Sequence, residues 1–167
     1  MRKEPLICIC GKSGVGKTTI VRESGLDEVI SYTTRQMREG EIDGFDYNFR
    51  THEWMNSNRG MFQIDWKTFG ENIYGATDDD VKNRDVIVIT LDSAIELRHL
   101  GILVYIIWMD GPIRQTRDRN VDVDNGDDLM KEVDLILVND KTVSETAERL
   151  RTVKSSLTTI CEAVDLT

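Results

Sequence analysis

Leu6-Ile-Cys-Ile-Cys-Gly-Lys-Ser-Gly-Val-Gly-Lys-Thr18 is the stretch that decides the fold. Its first five residues form an unbroken apolar run, the pattern of a strand buried on both faces. The next eight, Gly11 to Thr18, satisfy GxxxxGK[ST], a phosphate-binding loop set between a strand and a helix. Gly11, Gly14 and Gly16 let the chain curl so that backbone N–H groups around Ser13 and Val15 point inward at a phosphate. The helix that starts at Thr18 and Thr19 adds the positive end of its dipole to the same spot. Lys17 can reach the terminal phosphates, and Thr18 can offer a hydroxyl to Mg²⁺. The loop predicts a triphosphate site and leaves open whether the phosphoryl group goes to water, a nucleotide or another acceptor.

Outward from the loop, the first helix is expected to run from Thr18 through Ser24 and to end near Gly25. Asp85–Leu91, Leu103–Met109 and Leu135–Val138 are apolar, largely β-branched runs of the kind that fill a parallel sheet covered on both faces. Ser93–Leu100, closed by Gly101, is a helix-length crossover between two of them. Thr142–Ala163 carries Val143, Ala147, Leu150, Val153, Leu157 and Ile160 at helical spacing and predicts a closing helix. The fold class is therefore α/β: a three-layer α/β/α P-loop architecture with a parallel central sheet. Residues 1–30 and 77–167 are read as its core. Two polar segments break the rhythm, an insert over residues 31–76 and a short lid over 112–128. Inserts at the ligand edge of such a sheet can exclude water from the reactants.

The chain has 167 residues, enough for one sizeable core. Twenty-one Lys and Arg against 30 Asp and Glu give a formal charge of −9, which argues against a nucleic-acid backbone as partner. A few local arginines can still outweigh that field for a small anion. Cys8, Cys10 and Cys161 lack metal-ligand spacing and read as buried small hydrophobes. No stretch reaches transmembrane length and no signal peptide is visible, so the expectation is a soluble cytoplasmic protein without a membrane partner, as monomer or homodimer.

Within the insert, Arg35 and Arg38 are three apart and could converge on one phosphate from a helix or compact turn. Tyr47 and Tyr74 can donate phenolic hydrogen bonds to the same group. With a phosphate loop upstream, these residues predict a clamp for a nucleoside monophosphate.

Three strings carry a resemblance: Thr33-Thr-Arg-Gln-Met-Arg-Glu-Gly-Glu41, Gly44-Phe-Asp-Tyr-Asn-Phe49 and Phe69-Gly-Glu-Asn-Ile-Tyr-Gly75. In that order, after that loop, they resemble the guanylate kinase family, as does Val138-Asn-Asp140 late in the chain. The resemblance covers Leu6–Asp92 and Asp134–Ala163. It implies transfer of the ATP γ-phosphoryl group to GMP or dGMP, with Mg²⁺. By position it implies that Arg35, Arg38, Tyr47 and Tyr74 hold the acceptor phosphate, with Glu41 close to it and Ser31 against the guanine. Asp65 falls where the family has a glutamate for the guanine edge. Ala76 stands in place of a serine or threonine, and Thr90 in place of an aspartate, with Asp92 retained. Asn139 falls near the ATP base. Arg114, Arg117 and Arg119 are the arginines of a lid shorter than the family pattern, Arg117 being the best match for a catalytic one.

Other readings remain open at this level. The changed residues Asp65, Ala76 and Thr90 would also suit a deoxynucleoside monophosphate kinase of altered or broader base specificity. A non-catalytic nucleotide- or protein-binding module would tolerate the short lid. A nucleotide-triggered switch would share the loop but has no use for the arginine–tyrosine clamp.

Overall fold

Leu6–Cys10 (β1) has no exposed surface at any of its five positions, because strands pair with it on both edges and helices cover both faces. In the computed structural model, which describes residues 4–113 and 127–165, β1 leads into α1 (Lys17–Ser24). The chain then forms β2 (Tyr32–Thr33), β3 (Asn48–Phe49), α2 (His52–Ser57), a 3₁₀ turn at Arg59–Met61, β4 (Lys67–Phe69), β5 (Asn72–Gly75) and α3 (Asp78–Asn83). It continues with β6 (Val86–Val88), α4 (Leu91–His99), β7 (Val104–Asp110), α5 (Asp127–Met130), β8 (Leu135–Val138) and α6 (Val143–Asp165). These elements divide into two compact units, one of residues 1–28 with 85–167, the other Val29–Arg84.

The first unit is built on a parallel sheet of order β6-β1-β7-β8. Successive residues of a strand face opposite sides, so β1 supplies two cores at once. Ile7 and Ile9 pack with Ile107, Met109 and Leu137 beneath α1 and α6, joined by Ile20, Val21, Ala147 and Leu150. Leu91, Ala94, Ile95 and Leu97 of α4 are buried as well. α1 has glycine at both ends in the left-handed conformation, Gly16 at φ 98° and Gly25 at φ 68°. The strand expected over Asp85–Leu91 is confined to Val86–Val88. Ile89 still donates its N–H to the Ile9 carbonyl, but Thr90 takes the extended N-cap position of α4 and Leu91 is already helical.

Lys154 of α6 fastens the closing helix to the sheet. Its ammonium lies 2.5 Å from Glu4 Oε2 and 2.7 Å from Asp85 Oδ1. Burial opposes its charge, but the two carboxylates outweigh that and hold its pKa above the ordinary 10.5.

The second unit has its own sheet, of order β3-β2-β5-β4. β2 pairs parallel with β3 and antiparallel with β5, and β4 and β5 form a hairpin turned by Gly70 at φ 59°. Its core consists of Met55, Phe62 and Ile73 with Tyr32, Trp54 and Trp66 packed around them. Tyr32 and Trp54 stack at 5.6 Å, and the Phe62 ring meets each edge-on. Among the described residues, no helix is long and apolar enough to cross a membrane.

Candidate active site

The phosphate loop connects β1 to α1 through glycines that no other residue could replace without strain. Gly11, Gly14 and Gly16 all have positive φ, at 141°, 82° and 98°. A Cβ on Gly11 would sit 2.3 Å from the Met109 carbonyl oxygen, so β1 and β7 close too tightly there for a side chain. Gly16 has no side chain with which to cap α1, and the first turn of α1 has no acidic residue, so its amides are offered to an anion. Lys17 arches back over the loop and donates to the carbonyls of Gly11 at 2.7 Å and Lys12 at 2.8 Å. Thr18 and Thr19 follow Lys17 on the first turn, and both are exposed. Behind the loop, burial pushes the Cys10 thiol up to about 12, with Lys17 pulling it down and Asp92 pushing it up. Asp92 lies in the first turn of α4.

Asn139 supports this loop from the end of β8. It is 1% exposed. Its Nδ2 donates to the Val15 carbonyl at 2.8 Å, and its Oδ1 lies 3.2 Å from the Thr146 hydroxyl of α6. A Cβ on Gly16 would approach Asn139 Nδ2 to 2.8 Å. Sequence reasoning found Asn139 through a resemblance, but missed Thr146, which looks like any polar residue on a helix until Asn139 is placed beside it.

In the second unit, Arg35, Glu41, Tyr47 and Tyr74 come together around the arginine. Of the helix or compact turn expected for the arginines, the structure has a tight turn that begins at Arg38 and runs over residues 38–41, closed by Glu41 N–H to Arg38 O at 3.1 Å with Gly40 at φ 82°. It delivers Glu41 onto Arg35. Glu41 receives Arg35 Nη1 at 3.0 Å and Nη2 at 2.9 Å, and the Arg38 N–H at 2.8 Å. Arg35 and Glu41 side chains are 10% and 7% exposed. Burial works against both charges, yet each stabilises the other: Glu41 titrates below, and Arg35 above, its ordinary value. Tyr74 and Tyr47 reinforce the Arg35 charge, and the Tyr47 and Phe49 rings each lie 5.4 Å from its guanidinium carbon. Tyr47 and Tyr74 meet edge to face at 6.1 Å. The arrangement offers a rigid cation flanked by two phenols, the equipment to bind one phosphate.

Of the residues that the resemblance sets against the guanine, Asp65 and Ala76 are buried. Asp65 is 8% exposed, and its Oδ2 accepts from the Ala76 N–H at 2.8 Å. Ala76 has no exposed surface. Ser31 is half-buried on the approach to β2, where its carbonyl accepts from the Asn48 N–H. Thr90 belongs to the first unit, where its hydroxyl donates to Ser93 Oγ at 2.9 Å. Arg114, Arg117 and Arg119 lie outside the described residues, as does most of the 112–128 segment. His52 escaped the sequence reading: its Nε2 lies 2.7 Å from the Glu71 carbonyl and 3.1 Å from the hydroxyl of Thr34, the residue before Arg35.

A strand, a glycine loop closed by a lysine, and a helix, on a parallel sheet with helices on both faces, define a P-loop α/β nucleotide-binding protein. The chain belongs to the guanylate kinase family, whose sequence profile, described as "Guanylate kinase", matches residues 3–96. It is 34% identical over 121 residues to a guanylate kinase of Bacillus cereus, covering 63% of this chain and 59% of that one. A guanylate kinase of Oleidesulfovibrio alaskensis is 32% identical over 142 residues, 75% of this chain and 68% of the relative. The match thus spans less than two thirds of the Bacillus protein's length. The crystal structure of guanylate kinase from Anaplasma phagocytophilum shares the fold with a TM-score of 0.66, at 22% identity over 92% of this chain and 85% of that one.

Proposed function

We propose that the chain is an ATP-dependent nucleoside monophosphate kinase acting on GMP or dGMP. The observation that carries this reading is the Arg35–Glu41–Tyr47–Tyr74 cluster, in the same chain as a loop with its lysine and glycines intact. The loop amides and Lys17 would hold the β- and γ-phosphates of the donor. Arg35, Arg38, Tyr47 and Tyr74 would hold the acceptor phosphate, and Arg117 would add positive charge over the donor. An acceptor phosphate oxygen forms the new bond to the γ-phosphorus, the bond from γ-phosphorus to the bridging oxygen breaks, and ADP leaves. The acceptor is largely ionised near neutral pH, so positioning and charge stabilisation suffice without a general base.

The Thr18 hydroxyl, in a first turn of α1 that carries no acidic side chain, fits Mg²⁺ held mainly through substrate phosphates. When bound there, the ion would neutralise charge on the phosphate oxygens.

A second reading is favoured by the Asp65–Ala76 hydrogen bond, which occupies a carboxylate oxygen otherwise suited to the guanine edge. Under that reading the enzyme accepts other deoxynucleoside monophosphates as well. Steady-state kcat/KM with Mg·ATP and GMP, dGMP, AMP or dTMP decides between them. A preference for GMP and dGMP is expected. Failure of both with turnover of another acceptor would overturn the guanylate assignment, and ATP binding without transfer to any acceptor would make the chain a binding module.

A further inference from the structure

We infer that Asn139, held by Thr146, is a positioning residue that sets the direction of a phosphate-facing amide in the loop, and that it acts through Val15 rather than through the nucleotide base. The inference rests on the donor-site reading above. Its geometry is internal to the first unit. Asn139 Nδ2 donates to the Val15 carbonyl at 2.8 Å across 124 residues of sequence, and the carbonyl lies between Gly14 and Gly16, both at positive φ. Gly16, at positive φ, follows this peptide plane and eases its rotation, so local sequence alone does not fix it.

A trans peptide is planar, with its C=O and N–H pointing in opposite directions. Holding the Val15 carbonyl toward Asn139 therefore holds the Gly16 N–H away from it. Released, the peptide could rotate and turn a donor away from the phosphate.

Contacts at both ends of the Asn139 carboxamide keep it from turning over. The Thr146 hydroxyl shares its single proton between Asn139 Oδ1 at 3.2 Å and the Thr142 carbonyl at 3.1 Å. A flipped amide would oppose its oxygen to the Val15 carbonyl. The backbone is pinned too, because the Asn139 N–H donates to the Asp110 carbonyl at 2.7 Å, while Gly111 leaves space where a Cβ would lie 2.9 Å from the Asn139 carbonyl oxygen. Thr146 has no exposed surface, so it cannot itself touch a ligand.

The test compares binding of Mg-tripolyphosphate, which has no base, with binding of Mg·ATP, by calorimetry on the full chain. Asn139→Ala should weaken both ligands by the same factor, about ten-fold, the scale of one lost buried hydrogen bond. The acceptor KM should not change. Thr146→Val, which leaves Asn139 in place, should weaken both in equal proportion by about three-fold, and Thr146→Ser should restore wild-type binding. An Asn139→Ala defect confined to ATP would mean a base contact and overturn the inference. So would wild-type binding of both ligands by Thr146→Val, which decides the matter if Asn139→Ala fails to fold. Wild-type protein that binds neither ligand would overturn the donor-site reading together with this inference.

Discussion

Glu41 grips Arg35 with both carboxylate oxygens, yet the Arg35 Nε, buried in the same place, has no hydrogen-bond acceptor among the described residues. With the Nη1 bond to the Gln36 carbonyl at 2.7 Å, the pair fixes the guanidinium in one orientation, which a preorganised anion clamp requires. Glu41→Gln keeps the shape and removes the charge. It should raise the acceptor KM by about ten-fold and leave the ATP KM unchanged, as read from initial rates with each substrate varied in turn. Stability should fall by about 3 kcal/mol, since an almost buried cation loses its counter-charge, and urea unfolding would measure it.

Lys17→Met should leave the fold intact, because the ammonium donates to loop carbonyls and the side chain is replaced by an unbranched one of comparable reach. The kcat should fall by about 100- to 1,000-fold, the cost of losing one positioned charge donor. Circular dichroism alongside single-turnover rates would check both halves.

The glycines divide into two kinds. Gly11→Ala places a Cβ 2.3 Å from a backbone oxygen at φ 141°, and should destabilise by about 3 kcal/mol or more. Gly70→Ala meets no atom within 4 Å and suffers only the left-handed backbone, at about 1 kcal/mol. Urea midpoints for the two variants should differ accordingly.

Acid should unfasten α6. Hydrogen bonding to Lys154 holds the Glu4 carboxyl below its ordinary 4.5, despite partial burial. A depressed carboxyl contributes stability that is fully present above 4.5 and is lost as pH falls through the folded value. Lys154 is the opposite case: its share is full below 10.5 and is lost as pH rises through its higher folded value. Lys154→Met should therefore flatten the stability profile on both the acid and the alkaline side. Urea midpoints from about pH 3 to 11 would show it.

Asp65 can be tested without breaking its bond. Asp65→Asn can still accept from the Ala76 N–H through its amide oxygen, so the fold should persist. If Asp65 reads the guanine edge, GMP should lose about ten-fold or more in kcat/KM while AMP does not. An unchanged ratio would leave the carboxylate a structural acceptor.

Much of the first unit was legible from pattern alone. The loop between Leu6 and Thr18 needs glycine, lysine and hydroxyl in one order, and the long apolar runs of β1 and β7 allow few other uses. The sheet of the second unit was not legible, because β2 and β3 have two residues each, too few to display an alternation. Arg35 and Arg38 advertised themselves by charge and spacing, but nothing local announces that the turn at Gly40 swings Glu41 onto Arg35. Asn139 and Val15 are neighbours only because β8 joins the far edge of the sheet, a relationship that periodicity does not encode.

The burial of β1 has one practical outcome for chemistry at thiols. Cys8 and Cys10 have no exposed surface, and the Cys10 thiol titrates near 12, so neither presents a thiolate to a maleimide or a mild oxidant. Cys161, near the end of α6, is the only partly exposed cysteine of the three. A fluorophore or spin label added to the native protein should therefore attach at one position, far along the chain from the loop whose two neighbouring thiols stay silent.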